Sequence, residues 1–197
     1  MAYLINLNER MQERIVLNKQ GEYVVFMHNV SGKITVEIAA RDITVDIFGL
    51  FTGKNSDVFN IEMVQHHTAP ASTSNLFIKG VFDDASKFSY KGLIRIEKEG
   101  QQSHAYQKNQ NLILSPKTFV ESKPYLEILA NDVFCTHGST TGKLNEEYLY
   151  YLQTRGIDEK GARTVLINGF IDEVFERIRE KVPDFRYRLN KYGYWVT

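Results

Sequence analysis

Along the first two thirds of the chain, apolar residues tend to fall at every second position, the period of a half-buried strand. Val58, Asn60 and Glu62 alternate with Phe59, Ile61 and Met63, for example. Runs rich in Val, Ile, Phe and Tyr predict strands over 22–28, 33–39, 44–51, 58–65, 76–82, 88–96, 111–114, 118–121 and 125–129. Turn-forming residues separate them at 29–32, 52–56, 83–86 and 99–100. Short strands with no helix between them mean a sandwich, a barrel or a β-helix, and no strict short repeat selects among the three.

The last third changes period. Asn145 is placed to cap a helix running to about Arg155, where Gly156 can take the left-handed C′ position. Asp158 caps a second, to about Lys181, stopped by Pro183. Its predicted buried stripe is Ala162, Leu166, Phe170, Val174 and Ile178, widened by Val165, Ile171, Phe175 and Val182. That face must dock on something apolar, either the β core or another protein. The expected division is a β core over 1–142 and a helical segment with a tail over 143–197.

Bulk properties narrow the classes. A chain of 197 residues fits one domain, or one with a small appendage, and needs no disulfide or metal to fold. Its 24 basic and 24 acidic side chains cancel, so charge gives no reason to expect nucleic acid or an anionic membrane as partner. The N-terminus lacks the pattern of a secretory signal, and no 18-residue apolar window predicts a membrane span. The single cysteine excludes an intrachain disulfide and fits a reducing cytoplasm. The tail alternates basic and aromatic residues (Arg186, Tyr187, Arg188, Lys191, Tyr192, Tyr194, Trp195), and a docked terminal segment is favoured there over a nucleic-acid strip.

That cysteine, Cys135, stands two positions before His137 in LEILANDVFCTHGSTTG, residues 126–142. On a strand, thiol and imidazole share a face. Sulfur beside nitrogen suits zinc, copper or iron–sulfur chemistry, yet two groups cannot complete a four-ligand site. The bland alternative for Cys135 is a small buried hydrophobe. Asp132 is a candidate acceptor to orient His137, with local turn bonding as its more ordinary role. His66 and His67 are adjacent, so on a regular strand they face opposite ways and cannot share an ion. His28 and His104 have no company in sequence, and Glu127 in its apolar run should be exposed or paired. A Cys–His nucleophilic pair lacks an identifiable oxyanion site and third orienting group. A polysaccharide-cleaving enzyme lacks the clustered charges it would need.

Four blocks stand out over about residues 60–180: His66-His67-Thr68-Ala69-Pro70 with Ser72 and Ser74; Gly80 to Phe88 running on to Gly92-Leu93-Ile94; Gln107 to Ser115; and residues 126–142 extended through Tyr150-Tyr151-Leu152 and Arg155-Gly156-Ile157. Together and in this order they resemble the SufB/SufD family of iron–sulfur cluster assembly scaffolds. The resemblance implies a right-handed parallel β-helix with a C-terminal α-helical segment. It also implies a non-enzymatic scaffold, a SufC-type ABC ATPase as partner at the helices, and a SufB-like partner or a second copy at a β-helix junction. Cys135 and His137 would lie at that junction as ligands to iron or an iron–sulfur cluster.

Two departures qualify it. Family members carry a longer N-terminal part than the sixty residues preceding the first block. The SufB branch also has a cysteine in the third block and a glutamate after the histidine of the fourth, whereas here 109–111 lacks cysteine and Gly138 follows His137. The pattern is that of the SufD branch. No Gly-rich phosphate loop is present, so ATP hydrolysis would belong to the partner. A docking or regulatory module without cluster binding is the competing expectation, and a metal-dependent or Cys/His enzyme on a β-helix is the third.

Overall fold

The computed structural model describes residues 2–187 and 189. The strands in chain order are β1 (Tyr3–Asn6), β2 (Arg14–Leu17), β3 (Gly21–His28), β4 (Gly32–Ile38), β5 (Ile43–Gly53) and β6 (Val58–His67). They continue with β7 (Thr73–Phe82), β8 (Lys87–Ile96), β9 (His104–Ile113), β10 (Phe119–Ile128) and β11 (Phe134–Gly142), before helices α1 (Glu146–Thr154) and α2 (Glu159–Lys181). Odd-numbered strands form one sheet in the order β1-β3-β5-β7-β9-β11, and even-numbered strands form the other, β10-β8-β6-β4-β2. Every neighbouring pair is parallel. The chain therefore winds as a parallel β-helix, each coil giving one strand to each sheet. Val45 pairs with Ser74, Ser74 with Ala105 and Ala105 with Cys135, so the later coils take 29 to 31 residues.

Inward positions of the early coils are apolar. Val25, Ile47 and Leu76 from one sheet meet Ile34, Val36, Ile61 and Met63 from the other in one buried cluster. Corners recur with the coil, although no sequence repeat announces them. Asn29, Asn55 and Asp84 take positive φ at one corner, Asp42, Ala71 and Gln102 at another. Asn and Asp tolerate that left-handed conformation because their side chains bond locally. The Asn29 side chain bridges to the next coil, accepting from the Thr52 N–H at 2.8 Å.

The two outer faces differ. On the five-stranded sheet charges alternate in sign down a solvated ladder, Lys33–Glu62–Lys91. On the six-stranded sheet Val24, Phe26, Phe48, Leu50, Phe77 and Val81 are buried beneath Ile167, Ile171, Val174, Phe175 and Ile178 of α2. The docking partner of the helix is thus the β core. The observed stripe includes Ile167, which the predicted one omitted, and leaves Val165 49% exposed. Inside this contact lies Lys79 of β7, 2% exposed. Its ammonium donates to the Phe170 carbonyl at 2.8 Å and to Glu173, and sits 4.0 Å from the centre of the Phe170 ring. Burial pulls the Lys79 pKa below its ordinary value, against the upward pull of Glu173.

Several sequence expectations are amended. The strands at 118–121 and 125–129 are one, β10, with Pro124 inside it. Proline is tolerated there because β10 is an edge strand that, among the described residues, pairs only with β8. The segment 111–114 is the end of the longer β9, and β1 and β2 were not foreseen. His28 does have company: its ring nitrogens lie 3.1 Å from the Tyr187 and Thr52 hydroxyls. The start of the tail is docked, with Phe185 and Tyr187 against Phe26. Arg188, Lys191, Tyr192, Tyr194 and Trp195 of the tail expectation lie outside the described residues.

Removing Glu173 strands a buried cation, whereas removing Lys79 leaves a carboxylate that water and Arg177 can satisfy. Urea denaturation should place Glu173→Ala about 3 kcal/mol below wild type and Lys79→Met within about 1 kcal/mol of it. Equal losses would refute this account of the contact.

His28 and His67 are held by burial at a pKa of about 4, with His66 adding to the effect on His67. The unfolded chain titrates them near 6.5, so it gains protons first as pH falls. Their stabilising effect is complete above pH 6.5, is lost between 6.5 and 4 at roughly 1.4 kcal/mol per pH unit for each ring, and changes no further below that. Stability measured from pH 8 to 4 should show this slope, and His28→Asn should flatten it by about half.

Candidate functional site

The last coil has a neighbour on one side only. Within the described residues β11 pairs with β9 and β10 with β8, leaving two long strands with free edges. Side chains on β9 alternate, with Ala105, Gln107, Asn109 and Asn111 buried and facing inward. Their register partners on β11 are Cys135, His137, Ser139 and Thr141. Thiol and imidazole therefore lie on the same, lumen-facing side of an edge strand. The hydroxyls of Ser139 and Ser122 meet at 2.9 Å across the gap to β10.

Burial divides the pair. Cys135 is half-buried against a small apolar cluster of Ile94, Ile96, Ala105 and Ala130. Burial pushes its thiol pKa up to about 11, so at neutral pH the sulfur carries its proton. That disfavours a nucleophilic cysteine, which needs a thiolate. A metal ion displaces such a proton on binding. His137 is exposed and its ring makes no hydrogen bond among the described residues. Around the pair Leu126, Ile128 and Leu129 are 38–44% exposed and Phe134 is 62% exposed, its ring 5.9 Å from the His104 ring.

The other candidates separate cleanly. His67 points into the lumen between the Ser72 and Ser74 hydroxyls, while His66 points out to Glu97 at 2.9 Å. Asp132 turns the chain into β11 through its backbone, its carbonyl accepting from Gln102 N–H, and its carboxylate has no hydrogen bond among the described residues. Glu127 is exposed, 3.8 Å from Arg95. No group of three or more His, Cys, Asp or Glu side chains is placed to hold a metal among the described residues. Cys135 and His137 fit iron or a cluster in donor chemistry, and supply half the usual ligand number.

Among the described residues no helix is long and apolar enough to cross a membrane. Helix α1 buries none of its residues and turns Tyr148, Tyr150 and Tyr151 to solvent.

Residues 9–170 match the model of the family described as SUF system FeS cluster assembly, SufBD core domain. The chain is 29% identical to the iron–sulfur cluster assembly protein SufD of Escherichia coli over 80% of its own length and 36% of that protein's. It is 30% identical to the SufBD family protein ML0594 of Mycobacterium leprae over 73% of its length and 38% of that protein's. A chloroplastic protein of Arabidopsis thaliana, ABCI7, is 42% identical over a shorter stretch, 45% of this chain and 18% of the relative. The chain thus spans little more than a third of the longest-matching of these relatives. With a parallel β-helix, following helices and a family match over most of its length, this chain belongs to the SufBD core domain family of the SUF iron–sulfur cluster assembly system.

Proposed function

We propose that the chain is a non-enzymatic, SufD-like scaffold subunit of cytoplasmic iron–sulfur cluster assembly. In this reading Cys135 and His137 give ligands to iron or a nascent cluster at a junction between β-helices. The observation that carries it is the placement of a thiol and an imidazole on the lumen side of an edge strand with no strand beyond it among the described residues. Free edges of nine- and ten-residue strands readily accept another chain, and the exposed Leu126, Ile128 and Phe134 supply apolar surface for it.

The occupant of that edge is a SufB-like partner or a second copy. Two copies related by a two-fold axis would bring together two thiols and two imidazoles, completing the four-ligand set of which one copy supplies half. The helical segment docks a SufC-type ATPase, for which the exposed aromatic face of α1 offers a surface, and relays its movement to the junction. A second reading, a docking or regulatory module without a cluster, draws on the absence of a third ligand among the described residues.

Anaerobic reconstitution with iron and sulfide separates the two readings. The scaffold should gain charge-transfer absorption in the visible range that Cys135→Ala loses at least tenfold, while a docking module stays colourless in both. Light scattering at high micromolar concentration should return about twice the 22.8 kDa chain mass. Phe134→Asp and Leu126→Lys together should return it to one chain. A wild type that is strictly monomeric would rule out the two-copy form.

A further inference from the structure

The lumen changes character along its axis. One inward column of the six-stranded sheet reads Val25, Ile47, Leu76, Gln107, His137. Gln107 is only 2% exposed. Its Oε1 accepts from the Tyr90 hydroxyl at 3.0 Å, while its Nε2 is buried with no partner. One end of the amide is held and the other is open.

Gly92 makes room for this contact. A Cβ at that position would lie 2.1 Å from the Tyr90 hydroxyl and 2.3 Å from Gln107 Oε1, so a larger residue would force the two apart. Buried polar groups are normally satisfied, and an open end in a site shaped this closely asks for its partner. Along the column Gln107 has apolar Leu76 on one side and His137 on the other, about 5 Å away strand to strand. Across the lumen Gln65 also has an unpartnered oxygen, but its amide nitrogen is already tied to Ser74 Oγ at 2.7 Å.

We propose that Gln107 is the positioning residue for His137, a statement that rests on reading His137 as a ligand. A ligating imidazole gives the lone pair of one ring nitrogen and carries a proton on the other, which needs an acceptor. The Gln107 amide turns over with little change of shape, and the Tyr90 hydroxyl accepts from Nε2 as well as it donates to Oε1. In that orientation, and with the exposed His137 ring rotated toward it, the Gln107 carbonyl receives the His137 N–H and leaves the other ring nitrogen free for the junction. This is the acceptor role for which Asp132 was the sequence candidate.

The test uses the full chain and Co²⁺ as spectroscopic probe under anaerobic conditions. Gln107→Met should weaken Co²⁺ binding 10- to 100-fold with an unchanged circular-dichroism spectrum, on the order expected for losing a ligand's orienting partner. Gln107→Glu, which keeps an acceptor, should restore it to within a few-fold. In metal-free protein, ¹⁵N spectra should show one His137 tautomer in wild type and a mixture in Gln107→Met, with Gln65→Leu like wild type. If His137→Ala abolishes binding but Gln107→Met leaves affinity and tautomer untouched, the positioning role falls and the ligand reading stands. If wild type and His137→Ala bind Co²⁺ equally, the ligand reading falls and the positioning role with it.

Discussion

The lateral hydrogen bonding of parallel strands, coil upon coil, is the constraint on which everything else here depends. A strand in this arrangement satisfies its backbone through the coil before it and the coil after it. Because side chains alternate, the same bonding fixes which residues enter the lumen and which face out. A one-residue slip at β9 would send Gln107 and Asn109 outward and bring Tyr106 and Lys108 in. Register is therefore the link between sequence and site, and it puts Cys135 and His137 side by side on the lumen face.

The same bonding explains why chemistry gathers at one end. Coils with a neighbour on each side hold an apolar lumen, because both neighbours seal it. Toward β9 and β11 the inward positions become Gln107, Asn109, Asn111, Ser139 and Thr141; Asn111 bonds to Asn109 and Thr141, and Ser139 to Ser122, so this end tolerates an opening. An apolar lumen ending in an open coil would expose a broad hydrophobic patch. A polar one can lie open and still receive a partner.

How much of this was legible in the sequence depended on local against long-range physics. Both helices were, because their signals are local: the Asn145 side chain accepts from Glu147 and Tyr148, Asp158 accepts from Gly161, and Gly156 takes φ +86°. Alternation located the middle strands but could not choose a β-helix over a sandwich, since both alternate; only the family blocks made that choice. β9 was truncated because its inward residues are amides, the reverse of what the pattern seeks. Lys79 gave no sign of burial, because the carboxylate and carbonyl that satisfy it come from about ninety residues further on. The Cys135–His137 pair was visible as a motif, while its position on a free edge follows only from strand order.

The short link of three residues between β11 and α1 has a mechanical meaning. Helix α2 is clamped to the outer face of the middle coils by its apolar stripe and Lys79, whereas among the described residues β11 pairs with β9 alone. A load on α1 passes to α2, which it contacts, and through Lys143, Leu144 and Asn145 to the strand at Gly142. It arrives at the hydroxyl-rich end first, where Thr141 and Ser139 bond to Asn111 and Ser122, and at the sulfur last.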